Sequence, residues 1–269
     1  MKVFTIFPII LLALININWN DTSKKVHEGV TAHRGNSGEF PENTIPAFKS
    51  AMDLRVDWVE LDAFKTKDGK LVVCHDKNTA RMGNKAYEIK DTMYEELSTV
   101  DMATEFRTKH QKSLVECPPQ KMPLLEDALK LFLNQNEIRV SIQPKVDCVK
   151  EAIDIVNKLG ISHLVGFNDG NLEYMSAVKK LSPAIHVFWD RPANSAIESD
   201  IKIAQEKGFE ALVIRHDGVT TEKFRQIKAA GLEAGAWTVN DTGVMKQLLS
   251  IGVDRIYTDY PKQLIALKH

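Results

Sequence analysis

From about residue 29 onward the apolar positions follow two alternating rhythms. Short runs rich in β-branched and aromatic residues occur at 29–33 ("GVTAH"), 57–64, 137–143, 163–167, 184–189, 211–215, 233–239 and 254–258. Between them, at 44–54, 124–135, 148–159, 171–181, 195–207, 221–230 and 242–251, apolar residues recur every three or four positions, with a last turn near 261–268. The first rhythm predicts strands and the second amphipathic helices. Asn43 or Thr44, Ser195 and Thr220 or Thr221 stand where helix caps are expected, and Gly160, Gly208, Gly231 and Gly252 where helices should end.

Strands that each feed a helix imply a parallel sheet, and eight such units within 28–268 predict a closed (β/α)8 TIM barrel. An open doubly wound sheet is the alternative, weakened because no Gly-rich turn of the G-x-G-x-x-G kind follows the first strand. Residues 77–123 break the alternation and are too long for an ordinary loop. They predict a small insertion, with a helix around "MYEELSTV", placed after a β-hairpin that follows strand two. That hairpin is marked by Asp68-Gly69 in "FKTKDGKLVVCHD".

The segment before the barrel obeys a different logic. "MKVFTIFPIILLALI" joins an early lysine to an apolar run too short to span a bilayer comfortably, so residues 1–24 are expected to be a signal peptide with a poorly marked cleavage site. This implies export to the periplasm or outside the cell, without stable membrane insertion once the signal is removed. An uncleaved N-terminal anchor is the alternative. Lys plus Arg (35) nearly balances Asp plus Glu (36), so no bulk field draws nucleic acid, and a small molecule is the expected partner. Three widely spaced cysteines form neither a disulfide framework nor a zinc site, and are expected as buried free thiols.

In a barrel of this kind the chemistry belongs at the carboxyl ends of the strands. Strand one ends in His33-Arg34. Strand two carries Glu60 and Asp62, two apart and so on one face, with Val59 and Leu61 on the other. Either they are surface carboxylates, or they face the barrel mouth and need a cation between them. Mg²⁺ and Ca²⁺ prefer such oxygens. A two-residue turn at Asp68-Gly69 would pair Lys67 with Lys70 and set His75 opposite Asp62. Strand three offers Gln143 as an oxygen donor and Lys145 for an anion. Trp237 serves either as core or as the wall of a site, and Asn240 and Asp259 close the set. Two imidazoles, basic side chains and paired carboxylates suit acid–base chemistry on a phosphate ester.

The motifs "AHRG" (32–35), "PENT" (41–44), "VELDAFKTKDGKLVVCHD" (59–76), "SIQPK" (141–145), "AWTVN" (236–240) and "GVDRIYTDYP" (252–261) together resemble the glycerophosphodiester phosphodiesterase family. The resemblance implies a TIM barrel that hydrolyses glycerophosphodiesters to glycerol 3-phosphate and an alcohol, with one divalent cation, Mg²⁺ or Ca²⁺. It places His33 and His75 as the acid–base pair, Arg34 near the phosphate, and Glu60 and Asp62 as metal ligands. The residues themselves add Lys145 and Trp237 as expected substrate or phosphate contacts, with Glu42 and Asn43 in support. One position departs. Where the family carries glutamate, in a Glu-Ile-Lys-like segment, this chain has Gln143, which keeps an oxygen donor and loses a charge. Three outcomes follow: a weaker metal site, a shifted substrate, or a phosphoglycerol-binding barrel without turnover. A phospholipase-like reaction stopping at a cyclic phosphate is a further alternative.

Overall fold

The computed structural model describes residues 27–268; the expected signal segment lies outside the described residues. Nine strands form one sheet: His27–Ala32 (β1), Val56–Lys65 (β2), Leu71–Val73 (β3), Arg139–Pro144 (β4), Val165–Asp169 (β5), His186–Arg191 (β6), Ala211–Arg215 (β7), Glu233–Trp237 (β8) and Arg255–Thr258 (β9). β1 pairs with β2 on one side and β9 on the other, both parallel, so eight strands close into a (β/α)8 TIM barrel and only β3 stands outside it, antiparallel to β2.

The strand alternation sorts side chains into two cores. Val59, Leu61, Val140 and Ile142 are fully buried against the surrounding helices. Inside the barrel, Trp58, Phe188, Ala211, Val213 and Tyr257 pack together, with Arg255 stacked 3.9 Å from Phe188 and 4.9 Å from Trp58. This apolar plug leaves Glu60 and Asp62, further along β2, at its upper surface. Helices Val149–Leu159 and Ile197–Lys207 end at Gly160 and Gly208 as the sequence predicts. Helix Ile45–Asp53 takes Thr44, one of its two expected caps, at its start, which leaves the Asn43 side chain for another partner. One expected cap differs: helix Ile197–Lys207 is preceded by Ala196, because the Ser195 hydroxyl is drawn to buried Asp200.

The hairpin register also differs from expectation by one residue. Phe64 pairs with Val72 and Ala63 with Val73, which sets Cys74, not His75, opposite Asp62. The reason is local: Gly69 adopts φ +75°, and Lys67-Asp68-Gly69 forms a three-residue loop closed by Thr66 N donating to Lys70 O at 2.9 Å. His75 nevertheless reaches the barrel mouth: β3 ends at Val73, Cys74 N–H still donates to Asp62 O at 3.1 Å, and His75 lies beyond that bond. The segment beyond it carries short helices at Tyr94–Leu97 and Thr104–Lys109 and packs Met82, Ile89, Leu97 and Met122 with Phe64 and Val72. All three cysteines are free and buried. Among the described residues no helix is long and apolar enough to cross a membrane.

Candidate active site

The loop after β1 has unusual backbone geometry. Arg34 (φ +57°) and Asn43 (φ +58°) both lie in the left-handed region, where a side chain is strained. Gly35 between them, at φ +80°, packs its α-carbon against Ala47 so closely that a β-carbon would meet the Ala47 carbonyl carbon at 2.7 Å. The contortion aims three groups at the β2 carboxylates. Arg34 N–H donates to Glu60 Oε2 at 2.8 Å, the Arg34 guanidinium lies 3.5 Å from Asp62 Oδ2, and Asn43 Nδ2 donates to Asp62 Oδ2 at 2.7 Å. Glu42 accepts from Arg34 at 2.9 Å.

A cleft of about 590 Å³ opens above these groups, lined by His33, Arg34, Glu60, His75, Gln143 and Lys145. Trp237, half-buried, belongs to both readings made of it: it packs on the barrel plug, donates Nε1–H to Val213 O at 3.1 Å, and also lines the cleft. Asp62 lies fully buried and outside the cleft lining. His33, Arg34, Glu60, His75, Gln143, Lys145 and Trp237 thus line one cleft, with Asp62, Glu42 and Asn43 bonded to its lining residues or to one another.

The two histidines differ electrostatically. His33 Nδ1 is 2.6 Å from Asp259 Oδ1. Burial opposes its imidazolium, yet the Asp259 hydrogen bond and the Glu60 charge outweigh burial and raise its pKa. Against its own burial, Asp259 is held at about 2, chiefly by that bond to His33. His75 Nδ1 is 2.7 Å from Asp76 Oδ1. There burial prevails, with the Arg34 charge adding to it against Asp62 and Asp76, and the pKa falls.

Glu60 is pushed up to about 7, first by burial and then by the Asp62 charge. Glu60 Oε1 and Asp62 Oδ1 are buried oxygens without a hydrogen-bond partner. Lys145 Nζ lies 3.1 Å from Gln143 Oε1 and 3.6 Å from Asp62 Oδ1, so a positive group already sits between the Gln143 and Asp62 oxygens. Unpartnered buried carboxylate oxygens are costly, and this set of oxygens fits a hard divalent cation. Among the described residues no three His, Cys, Asp or Glu side chains gather as a metal site; the oxygen set here is two carboxylates and an amide.

Sequence reasoning missed several participants. Asp259 was visible at a strand end but not its partnership with His33, which joins residues 226 apart. Arg81, Asn168 and Asp190 were assigned no individual role, although they lie in "TARM" (79–82), "NDGN" (168–171) and "DRPAN" (190–194). Arg81 binds both Asp76 and Glu42. Asp190, near the end of β6, is buried and pushed up to about 8 by that burial despite a hydrogen bond from Asn168.

The model of the glycerophosphoryl diester phosphodiesterase family matches residues 33–263. A glycerophosphodiester phosphodiesterase of Bacillus altitudinis is 31% identical over 252 residues, covering 89% of this chain and 97% of that protein. A lysophospholipase D of Mus musculus is 26% identical over 273 residues, covering 87% and 83%. Among solved structures, a phosphodiesterase of Oleispira antarctica in complex with the product sn-glycerol-3-phosphate shares the fold with a TM-score of 0.75 at 24% identity, over 89% of this chain and 96% of that one. With a family match that spans most of its length and the whole barrel mouth, this chain belongs to the glycerophosphoryl diester phosphodiesterase family.

Proposed function

We propose that this protein hydrolyses glycerophosphodiesters to glycerol 3-phosphate and an alcohol, using His33 and His75 as acid and base. The observation that carries the reading is that the two histidines line one cleft with Arg34 and Lys145 while their pKa values are displaced in opposite directions. Such a split separates an acid from a base near neutral pH.

In the first step His75, neutral, accepts the proton of the substrate's glycerol hydroxyl as that oxygen attacks phosphorus. His33, protonated and oriented by Asp259, donates to the oxygen of the departing alcohol. A cyclic phosphate remains. In the second step the roles reverse: His33, now neutral, takes a proton from water as it attacks phosphorus, and His75 returns a proton to the ring oxygen that leaves. Glycerol 3-phosphate is released and both imidazoles regain their starting states. Arg34 and Lys145 offset charge on the phosphoryl oxygens throughout. Glu60, Asp62 and the Gln143 carbonyl oxygen would hold one divalent cation, Mg²⁺ or Ca²⁺, whose charge would add to that neutralisation. The inner walls of the cleft are polar and charged, Asp169, Arg191 and Arg215 among them, which favours soluble headgroup diesters over lipids. We also propose that the N-terminal apolar run exports the chain.

The test is release of glycerol 3-phosphate from a panel of glycerophosphodiesters with Mg²⁺, with Ca²⁺ and with chelator, for the natural chain and for His33→Ala and His75→Ala. Cation-dependent release abolished by either substitution is the expected result. Binding of glycerol 3-phosphate without turnover of any diester would instead make the chain a phosphoglycerol-binding barrel, and accumulation of cyclic phosphate would remove the second step.

A further inference from the structure

An amide at position 143 faces a difficulty that a carboxylate there would not. A carboxylate offers an oxygen whichever way it turns, whereas an amide can offer either an oxygen or an NH₂. Next to Glu60 and Asp62, a free amide would turn its NH₂ toward the carboxylates and present donors where a cation needs acceptors. Something must hold it the other way.

We infer that Asp190 is a positioning residue for the cation site, gripping the NH₂ of Gln143 so that its carbonyl oxygen is turned to the side where Asp62 lies. This inference rests on the reading that Glu60, Asp62 and Gln143 hold a divalent cation. Gln143 Nε2 donates to Asp190 Oδ2 at 3.4 Å. The same oxygen accepts from Asn168 Nδ2 at 3.2 Å, and Asn168 is set in turn by the Ser141 hydroxyl, which donates to its Oδ1 at 2.6 Å. Asp190 is 8% exposed and lines the cleft, and its other oxygen, Oδ1, is buried without a partner. Two N–H groups converge on Oδ2, so that atom accepts whether or not Oδ1 carries a proton. With its NH₂ engaged, Gln143 offers Oε1 to Lys145 Nζ at 3.1 Å, and the same ammonium is 3.6 Å from Asp62 Oδ1. β2 and β4 pair Asp62 directly with Gln143, so the two side chains project side by side. Asp169, next to Asn168 on β5, is a further acid in contact with the Gln143 amide and also lines the cleft.

The experiment is Mn²⁺ binding to the purified chain by isothermal titration calorimetry, without substrate. The natural chain is compared with Asp190→Leu, Asp190→Asn, Gln143→Glu, and Gln143→Glu combined with Asp190→Leu, each checked for folding by circular dichroism. Asp190→Leu should weaken binding roughly tenfold, as loss of a group that orients a ligand does. Asp190→Asn keeps an oxygen for both donors and should bind within about threefold of the natural chain. In the Gln143→Glu background Asp190→Leu should weaken nothing, because neither carboxylate oxygen needs selecting. A loss in Asp190→Asn as large as in Asp190→Leu, or equal losses in both backgrounds, would overturn the positioning role. If Asp190→Leu does not fold, Asp190→Ala takes its place in both backgrounds with the same expectations. Absence of binding in both the natural chain and Gln143→Glu would overturn the cation reading itself, and this inference with it.

Discussion

Asp259 Oδ1 lies 2.6 Å from Nδ1 of His33, so the residue after β9 holds the imidazole presented by the end of β1. The carboxylate is itself held: Asn240 Nδ2 donates to its Oδ2 at 2.6 Å. An acceptor on Nδ1 fixes the ring and leaves Nε2 as the nitrogen available for proton transfer. Asp259→Asn should therefore lower kcat/KM about 100-fold, within the range that general acid–base groups contribute. It should also move the high-pH limb of the profile downward, since the hydrogen bond and charge that raise His33 are weakened. A variant with reduced rate and an unmoved limb would sink this account of Asp259.

On the proposed mechanism turnover needs His75 neutral and His33 protonated, so with saturating cation the pH dependence of kcat/KM should be bell-shaped. The acid limb belongs to His75 and should fall below 6.5, and the alkaline limb to His33 and should fall above it. For stability the sign follows from the same displacement. His33 binds its proton more tightly folded than unfolded, so its contribution is complete below pH 6.5 and is lost as pH rises through the higher folded value. Removing it with His33→Gln should abolish the alkaline limb of the stability curve attributable to this group. A profile in which the natural chain has a single limb would contradict the paired roles.

If Glu60 is a cation ligand as proposed, it should give cation binding its own pH dependence. Its carboxyl is held at about 7 by burial and by Asp62, so below that value a cation must displace a proton. Affinity for Mn²⁺ should rise as pH increases through about 7, and calorimetry in buffers of different ionisation enthalpy should detect proton release at about pH 6 that fades by about pH 8. Flat affinity across that range would show that Glu60 is already ionised without a cation.

The barrel was legible because each strand writes its two faces separately: Val59 and Leu61 against Glu60 and Asp62, Val140 and Ile142 against Ser141 and Gln143. Motif residues close in sequence to strand ends were legible for the same reason. What failed was anything decided by a single backbone angle or by distant contacts. The left-handed Gly69 shifts the hairpin by one, and His75 reaches the cleft from beyond the last hairpin bond, made by Cys74 N–H. Of the two cap candidates Asn43 and Thr44, the helix takes Thr44, and the Asn43 amide is spent on Asp62, on a different element. Asp190 belongs to a short strand whose pattern carries no chemical motif, and its partners Asn168 and Gln143 come from two other strands.

The turn after β1 depends on the missing side chain at Gly35. A methyl group there would meet backbone and β-carbon atoms of Ala47 at 2.7–2.9 Å, and φ is +80°. Neither clash can be relieved by rotating a side chain. Gly35→Ala should destabilise the fold by about 2 kcal/mol or more. At this chain length that lowers Tm by roughly 5 °C. Because Arg34 precedes it, the N–H and guanidinium aimed at Glu60 and Asp62 should shift as well, so activity should fall further than stability alone explains. Unchanged melting would mean that the turn can relax.

Arg81, beyond the hairpin, ties the two halves of the site together. Its Nε donates to Asp76 Oδ2 at 2.6 Å, and its terminal nitrogens to Glu42 at 2.8 and 3.0 Å. Asp76 in turn holds His75 and Glu42 holds Arg34, so one guanidinium links the partner of a histidine with the partner of Arg34, the proposed phosphate contact. The Arg81 side chain is 41% exposed, so its ion pairs are screened and Arg81→Ala should change stability by less than about 1 kcal/mol. Its kinetic effect should be larger, about tenfold in kcat/KM, because small displacements of positioned groups are amplified in rate. Arg81→Lys can replace one contact but not the fork that spans Asp76 and Glu42, and should recover only part of the loss. Steady-state kinetics beside thermal melting separates the two effects: equal small changes in both would reduce Arg81 to a surface ion pair, whereas a rate loss without a matching melting change marks it as the link between His75 and Arg34.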